Sequence, residues 1–421
     1  MASSLDSKRA IGKKMVIACD GYDDSVFAPP AAQIPSNVTR IVRAIKHKDD
    51  TGIPQIVFYQ RGVGANGDEE DKVLGGATGA GLSEHVREAY GFLANNFDPE
   101  SQDALNDVSR PIDEIVLLGF SRGAFTARAI SSLVSDVGLL TRAGMESFWG
   151  IFGDWMKQNV KGRQSEWFES RFGKKVSFTD PVYRETLIEH GITRWPMPIR
   201  AVGVWDTVGG SYPDAGISNI TLAWMISQFE ETDGGILTFD PAYLDFLQDM
   251  NNQYYIKQKE PIRPWALGKL YDSAPHNTVK GIVAGLAPIV RTPGRYHVVD
   301  DKTGLQTNIR LKNTCECIHP SVRIRMDSGG LGTEEDSKHV SEVSHLLNAV
   351  KGLVGLTSSK YSSAALKNYD LVESAGVKSE ATRASGVAWR ARDGGEGLPE
   401  EELGRTEVRL LKRSVDVAGK V

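Results

Sequence analysis

Residues 115–128 read I-V-L-L-G-F-S-R-G-A-F-T-A-R, and this stretch decides the fold. The apolar run Ile115–Leu118 predicts a buried strand, and the segment Ala124–Val134, which contains no Gly or Pro, predicts a helix. Between them lies Ser121 in a G-x-S-x-G pattern, whose glycines suit a tight turn because side chains there would collide with the strand and the helix. The sequence therefore predicts that Ser121 lies at an elbow between a strand and a helix.

Strand patterns alternate with helical patterns on both sides of this elbow. The predicted strands are Met15–Cys19, Ile53–Tyr59, Ile115–Leu118 and Ile199–Trp205, and the predicted helices are Ser36–Lys48, Leu82–Leu93 and Ala124–Val134. Such alternation favours βαβ units with right-handed crossovers. We therefore predict an α/β fold with an α/β-hydrolase-like, doubly wound and mostly parallel sheet.

After about Asn219 this alternation ends. A helix is predicted at Ile220–Phe229, followed by irregular sequence to Arg325 and a Gly-, Asp-, Glu- and Ser-rich stretch at 327–337. Short helical patterns at Val340–Leu353 and Glu400–Leu411 complete an irregular helical C-terminal region. The predicted domains are a core at residues 12–232, a further part of the same domain at 233–330, and a linker with short helices, which could be mobile, at 331–421.

Composition excludes several classes of protein. The net charge is -5 and no basic run exceeds two residues, so we expect no nucleic-acid partner. Three cysteines are too few for a disulfide framework, and the pair Cys315 and Cys317 has only His319 nearby, so we expect no metal and no cofactor. The polar N-terminus lacks the apolar core of a signal peptide, and the most apolar stretch, 281–290, is about half a membrane span. These features favour a cytoplasmic protein without a transmembrane segment.

Ser121 is the candidate nucleophile, because the predicted turn directs a helix N-terminus towards its hydroxyl. The backbone N–H of Arg122 is then the first donor of an oxyanion hole. The alternative is a Gly-rich turn that binds phosphate or simply packs tightly. Asp206 follows the strand Ile199–Trp205, which suits the acid of a Ser, acid, His order. Asp206 could equally cap the segment that follows it.

Asp20 and Gly21 end the first predicted strand, and acids at the ends of parallel strands lie at the ligand crevice. One reading is that the backbone N–H groups of Gly21 and Tyr22 complete the oxyanion hole. A second is that Asp20 is a phosphatase-type nucleophile, although Tyr22 occupies the position where such chemistry usually needs a second acid. A third is a structural turn.

Several stretches occur together and in order. They are C-D-G at 19–21, G-L-S-E-H-V-R-E-A-Y-G-F-L at 81–93, G-F-S-R-G-A-F-T-A-R at 119–128 and G-V-W-D-T-V-G at 203–209, with further ones at 220–226, 268–273, 291–296 and 318–323. Across roughly residues 12–330 they resemble an uncharacterised α/β-hydrolase domain, common in fungi, that is similar to the catalytic domain of type VI secretion phospholipase effectors. The resemblance implies a serine esterase acting on phospholipid or acyl esters, with Ser121 as nucleophile and Asp206 as acid. Asp20 and Gly21 match its first-strand D-G-T, where this chain has Tyr22.

This chain departs from that family after the G-V-W-D-T-V-G stretch at 203–209. Similar proteins carry a long segment there that includes the family histidine, whereas here Gly209-Gly210 runs directly into Ser211, so that the core is interrupted near 209–211. Three other histidines are poor substitutes for the family histidine. His190 is predicted at a helix C-terminus, His276 in a loop, and His85 at a solvent-facing position of a helix. His297, in an alternating strand, is retained as a possible substitute base.

We therefore expect weak or no hydrolysis, because a serine hydroxyl is a poor nucleophile without a base. The alternative is a non-catalytic protein that binds a lipid or acyl ligand in the same crevice. The sequence leaves the substrate and the oligomeric state open.

Overall fold

A computed structural model describes residues 11–21, 35–62, 80–98, 112–206, 208–270, 293–300, 303, 305–327, 369–373, 384–392 and 397–418. The chain divides into two compact units, one formed by residues 1–211 and 228–244 and the other by residues 212–227 and 245–421. The domain boundaries predicted at residues 232 and 330 stay predictions.

The first unit is built on a parallel sheet. Its strands are β1 (Ile11–Cys19), β2 (Gln55–Gln60), β3 (Ile112–Phe120), β4 (Leu139–Leu140), β5 (Thr193–Arg194) and β6 (Ala201–Trp205). Strands β2, β1, β3 and β6 lie side by side in that order, all parallel, while β4 and β5 form a separate antiparallel pair. The predicted α/β fold with a parallel sheet is confirmed.

Helices cover this sheet. They are α1 (Asn37–Ala44), α2 (Ala80–Asn96), α3 (Arg122–Val137), α4 (Phe148–Met156), α5 (Glu166–Phe172) and α6 (Pro181–Glu189). Alternate residues of β1, including Met15 and Ile17, belong to one apolar core with Tyr90 of α2 and Ile130 of α3. The intervening residues of β1, such as Val16, are equally buried and point to the opposite face, where α1 packs. Burial on both faces explains why these strands read as continuous apolar runs.

Most predicted elements differ by a few residues from the observed ones, and two of these differences have a clear structural reason. Strand β3 begins at Ile112 rather than Ile115, because the polar residues that precede the apolar run also pair with β1, and Asp113 binds Lys13 at 2.6 Å. Helix α1 ends at Ala44 rather than Lys48. Ile45 is extended and pairs with Phe239, so a tertiary contact overrides the helical pattern there.

The second unit mixes helices with short strands. Helices α7 (Gly216–Glu231) and α8 (Pro241–Gln258) have residues in both units, and the remaining elements are β7 (His297–Val299), β8 (Gln306–Arg310), α9 (Pro320–Asp327), β9 (Tyr369–Glu373), β10 (Ala384–Ala391), β11 (Leu398–Glu401) and α10 (Arg405–Ala418). Strands β9, β10 and β11 form an antiparallel sheet. The predicted strand at His297 is present, whereas the helix predicted at Val340–Leu353 lies outside the described residues.

The helix predicted at Glu400–Leu411 begins only at Arg405, because Glu400 and Glu401 belong to β11. The Glu400 carboxylate is fully buried and paired with the Arg323 guanidinium at 2.8 Å. Glu401 accepts a hydrogen bond from the Trp224 indole at 2.7 Å. These buried acceptors hold β11 as a strand against a local preference for helix.

Among the helices of the described residues, none is both long enough and apolar enough to cross a membrane.

Candidate active site

Three strands bring candidate residues to one edge of the sheet. Cys19 of β1 is level with Gly119 of β3, and Phe120 of β3 is level with Trp205 of β6. Asp20, Ser121 and Asp206 follow these strands directly, so all three lie at the carboxyl edge, where parallel sheets bind their ligands.

Ser121 connects β3 to α3 in a conformation that side chains seldom adopt, with φ 53° and ψ -119°. Its backbone N–H donates to the Trp205 carbonyl at 2.9 Å, and its carbonyl accepts from the Ala124 N–H at 3.0 Å. The hydroxyl is exposed and does not cap the helix. The strand–turn–helix elbow predicted from the sequence is therefore present, while the role of Ser121 as nucleophile stays a prediction.

The glycines of the G-x-S-x-G pattern are required by close packing of backbone. A Cβ on Gly123 would lie 2.1 Å from the Cys19 carbonyl oxygen and 2.4 Å from that of Asp20. A Cβ on Gly119 would lie 2.5 Å from the Gly123 carbonyl oxygen. Helix α3 thus begins in direct contact with the end of β1, which presses the Ser121 turn against Asp20 and Gly21.

Asp20 is the acceptor for four hydrogen bonds. Its Oδ1 accepts from the Gly21 N–H at 2.7 Å, and its Oδ2 accepts from Ser36 Oγ at 2.6 Å, Thr39 Oγ1 at 2.9 Å and the Tyr59 hydroxyl at 2.8 Å. Burial, together with the Asp20 charge, raises the pKa of Tyr59 to about 12, so its hydroxyl stays a donor. Four donors, three of them on Oδ2, hold the carboxylate in place, which suits a positioning role and disfavours Asp20 as a nucleophile.

Gly21 lies beside Ser121, since a Cβ on Gly21 would be 3.2 Å from Ser121 Cβ. Its backbone N–H donates to Asp20 Oδ1 and is not directed at an oxyanion in this arrangement. Tyr22, the other predicted donor from this loop, lies outside the described residues. The N–H of Arg122, at the N-terminus of α3, remains the first candidate donor.

Asp206 is paired with an arginine. The Arg128 guanidinium, two turns along α3 from Ser121, donates to both carboxylate oxygens at 2.9 and 3.2 Å. The side chains of Arg128 and Asp206 are 50% and 35% exposed. An acid that orients a histidine accepts an imidazole N–H, whereas here each Asp206 oxygen accepts from Arg128.

The chain after Asp206 turns back towards α1. The Gly209 carbonyl accepts from the Asn37 N–H at 2.6 Å, and Gly210 pairs with Ser36. A Cβ on Gly209 would lie 2.1 Å from the Phe120 ring. Residues 208–210 therefore lie along the carboxyl edge.

Of the histidines in the described residues of the first unit, the structure brings His85 to this edge. Gln60, the last residue of β2, donates through Nε2 to the His85 carbonyl at 3.2 Å and to Glu88 Oε2 at 2.8 Å. Partial burial and the nearby Arg122 lower the pKa of His85, while Glu88 opposes the change. The sequence analysis predicts a solvent-facing His85. The structure differs because Gln60 of β2 and Arg122 of α3, which are distant in sequence, act on it.

The other histidines considered as bases are His190, His297 and His276. His190 ends α6, with Nδ1 2.9 Å from the Thr186 carbonyl oxygen and its ring against Phe172, which fits the structural role predicted for it. His297 belongs to β7 in the second unit. His276 lies outside the described residues.

The Asp20 network yields a stability prediction. Replacing Asp20 by Ala leaves three hydroxyls and the Gly21 N–H without their acceptor, and we expect the free energy of unfolding to fall by about 3 kcal/mol. Tyr59→Phe removes one of the same hydrogen bonds and should cost about 1 kcal/mol. Chemical unfolding of both variants measures the difference, and equal effects would show that Asp20 is not the centre of the network.

Comparison with known proteins agrees with the sequence motifs. Residues 13–211 match the family model of the type VI secretion system phospholipase effector Tle1-like catalytic domain. The chain is also 28% identical over 166 residues to "Uncharacterized protein YEL023C" of Saccharomyces cerevisiae, a match that covers 35% of this chain and 22% of that protein. No solved structure matches the chain. The predicted resemblance is confirmed over residues 13–211, and the chain spans about a fifth of the yeast relative.

Proposed function

We propose that the first unit carries an ester-hydrolase site for acyl or phospholipid esters, with Ser121 as the nucleophile and Asp206 as the acid. The observation that carries this proposal is the elbow itself, which holds an exposed serine at positive φ on the N-terminus of α3. The match of residues 13–211 to a phospholipase effector catalytic domain supports lipid esters as the substrate class.

The oxyanion of an ester intermediate would form beside the N-terminus of α3. The N–H of Arg122 follows the nucleophile, where the helix directs backbone N–H groups and a positive dipole end towards developing negative charge. Gly21 flanks the same position and donates its N–H to Asp20, whose carboxylate is in turn held by the hydroxyls of Ser36, Thr39 and Tyr59. Asp20 is a positioning residue in this proposal.

We further propose that the site is catalytically incomplete, so that this chain hydrolyses esters weakly or not at all. Asp206 is bound by Arg128. His85 reaches the same edge from α2, but its near neighbours are Gln60, Glu88 and Arg122 rather than Asp206. Without a base held by the acid, the Ser121 hydroxyl keeps its proton and remains a poor nucleophile.

The Arg128–Asp206 pair also favours a second candidate function, a non-catalytic protein that binds a lipid or acyl ligand in the crevice. This candidate predicts saturable, reversible binding of a fluorescent fatty acid that Ser121→Ala leaves unchanged. A hydrolase site predicts that part of an activated acyl ligand becomes covalently attached to Ser121.

Imidazole rescue tests the first proposal, because a small diffusible base can replace a missing histidine. We expect a fluorophosphonate probe to label the folded chain slowly, imidazole to accelerate the labelling, and Ser121→Ala to remain unlabelled in both cases. Absence of Ser121 labelling at any imidazole concentration would contradict the role of Ser121 as nucleophile. Fast labelling without imidazole would contradict the incomplete site, and His85→Asn would then be the first variant to test.

A further inference from the structure

The hairpin of β7 and β8 in the second unit exposes an apolar face. Leu305, Ile309 and Leu311 are 69%, 63% and 44% exposed. Ile309 lies in β8, Leu305 and Leu311 flank its two ends, and all three share one side of the extended segment with the half-buried Thr307. The intervening side chains are polar: Gln306, Asn308, Arg310 and Lys312. Since successive side chains of a strand point to opposite faces, β8 is amphipathic and its apolar face is open.

An amphipathic strand normally buries its apolar face against other elements. Strands β7 and β8 pair only with each other among the described strands, and an isolated two-stranded ribbon has little stability of its own in water. More than half of the Leu305 and Ile309 side chains is exposed to water. Covering them with another apolar surface therefore lowers the free energy of the protein.

Charge and area identify what covers this face. Residues 305–312 contain Arg310 and Lys312, both exposed, and no acid, so the strand combines aliphatic side chains with positive charge. The exposed aliphatic area amounts to a few hundred Å², well short of the roughly 800 Å² per partner that a stable protein–protein interface buries. Binding to a bilayer does not require an interface of that area. The insertion of a few apolar side chains and the attraction of cations to anionic headgroups both contribute to the binding free energy.

We propose that the β7–β8 hairpin lies along an anionic lipid surface, with Leu305 and Ile309 inserted among the lipids and the long side chains of Arg310 and Lys312, on the other face of the strand, extending sideways to the headgroups. The proposal deepens the proposed function, because lipid esters are presented to an enzyme at such a surface. It does not require a reactive Ser121.

Vesicle co-sedimentation tests the docking surface. The Ser121→Ala chain is used throughout, so that hydrolysis cannot alter the vesicles. We expect it to bind phosphatidylcholine vesicles that contain phosphatidylserine and to bind pure phosphatidylcholine vesicles far more weakly. Leu305→Ser combined with Ile309→Ser should lower the affinity roughly tenfold or more, and Arg310→Gln combined with Lys312→Gln should do the same at low salt.

The matched control is Gln306→Ser combined with Asn308→Ser, which changes the opposite face of β8 and should leave vesicle affinity within about twofold. Equal binding by the apolar variant and this control would overturn the proposal, and so would a chain that binds neither kind of vesicle. A dimer in solution that the apolar variant dissociates would also overturn it, because the face would then join two copies. Imidazole rescue of Ser121 is unaffected by any of these outcomes, so the two proposals fail separately.

Discussion

The chain and its Ser121→Ala variant are expected to hydrolyse acyl and phospholipid esters at the same background rate. The physical reason is the proposed incomplete site, in which both Asp206 carboxylate oxygens accept hydrogen bonds from Arg128 instead of orienting a catalytic histidine. In a complete Ser-His-Asp set, removal of the histidine lowers kcat on the order of 10⁶-fold, and the remaining acceleration comes from the oxyanion hole and from binding.

Release of p-nitrophenol from short acyl esters, followed with equal amounts of folded wild type and Ser121→Ala, measures this difference. Arg128→Gln is a useful companion variant, because it frees Asp206 while leaving Ser121 in place, and it should not raise the rate if the base is absent. Turnover by wild type that Ser121→Ala abolishes would contradict the expectation. The same assay on the single variants His85→Asn and His297→Asn would then test whether either histidine is the base.

The parallel sheet could be predicted because its strands are buried on both faces, so that runs such as Met15–Cys19 carry an unmistakable apolar signal. The prediction is wrong where polar or helical patterns are overridden by distant partners. Asp113 joins β3 through its contact with Lys13, and Ile45 leaves α1 to pair with Phe239. Neither partner is near in sequence, so no local pattern could indicate these contacts.

In the candidate site, too, local features could be predicted and contacts between distant elements could not. The elbow at Ser121 is a local feature of strand, glycine turn and helix, and the sequence predicts it. The Asp20 network gathers hydroxyls from α1 and β2, and the Asp206 carboxylate meets Arg128 from α3. An oxyanion role for Gly21, one of three interpretations that the sequence allows, stays a prediction, while the structure shows its N–H donating to Asp20. Such pairings depend on how elements pack, which spacing along the chain does not encode.

The second large effect is expected from Gly123→Ala, which should lower the free energy of unfolding of the first unit by about 3 kcal/mol or more. The added methyl group would lie 2.1 Å from the Cys19 carbonyl oxygen, so α3 would have to move away from β1. The backbone fixes the position of both the alanine methyl group and the Cys19 carbonyl oxygen, so no side-chain rotation can relieve the contact.

Gly153→Ala in α4 is the matched control, because it is the same change in a helix and, outside the adjoining residues and backbone of α4 itself, no atom lies within 4 Å of the new methyl group. Alanine is the better helix former by about 1 kcal/mol, so this variant should be slightly more stable than wild type. The two substitutions are therefore expected to shift the unfolding midpoint in opposite directions. If Gly123→Ala were tolerated as well as Gly153→Ala, α3 would not begin against the end of β1, and the elbow that presents Ser121 would lack its structural basis.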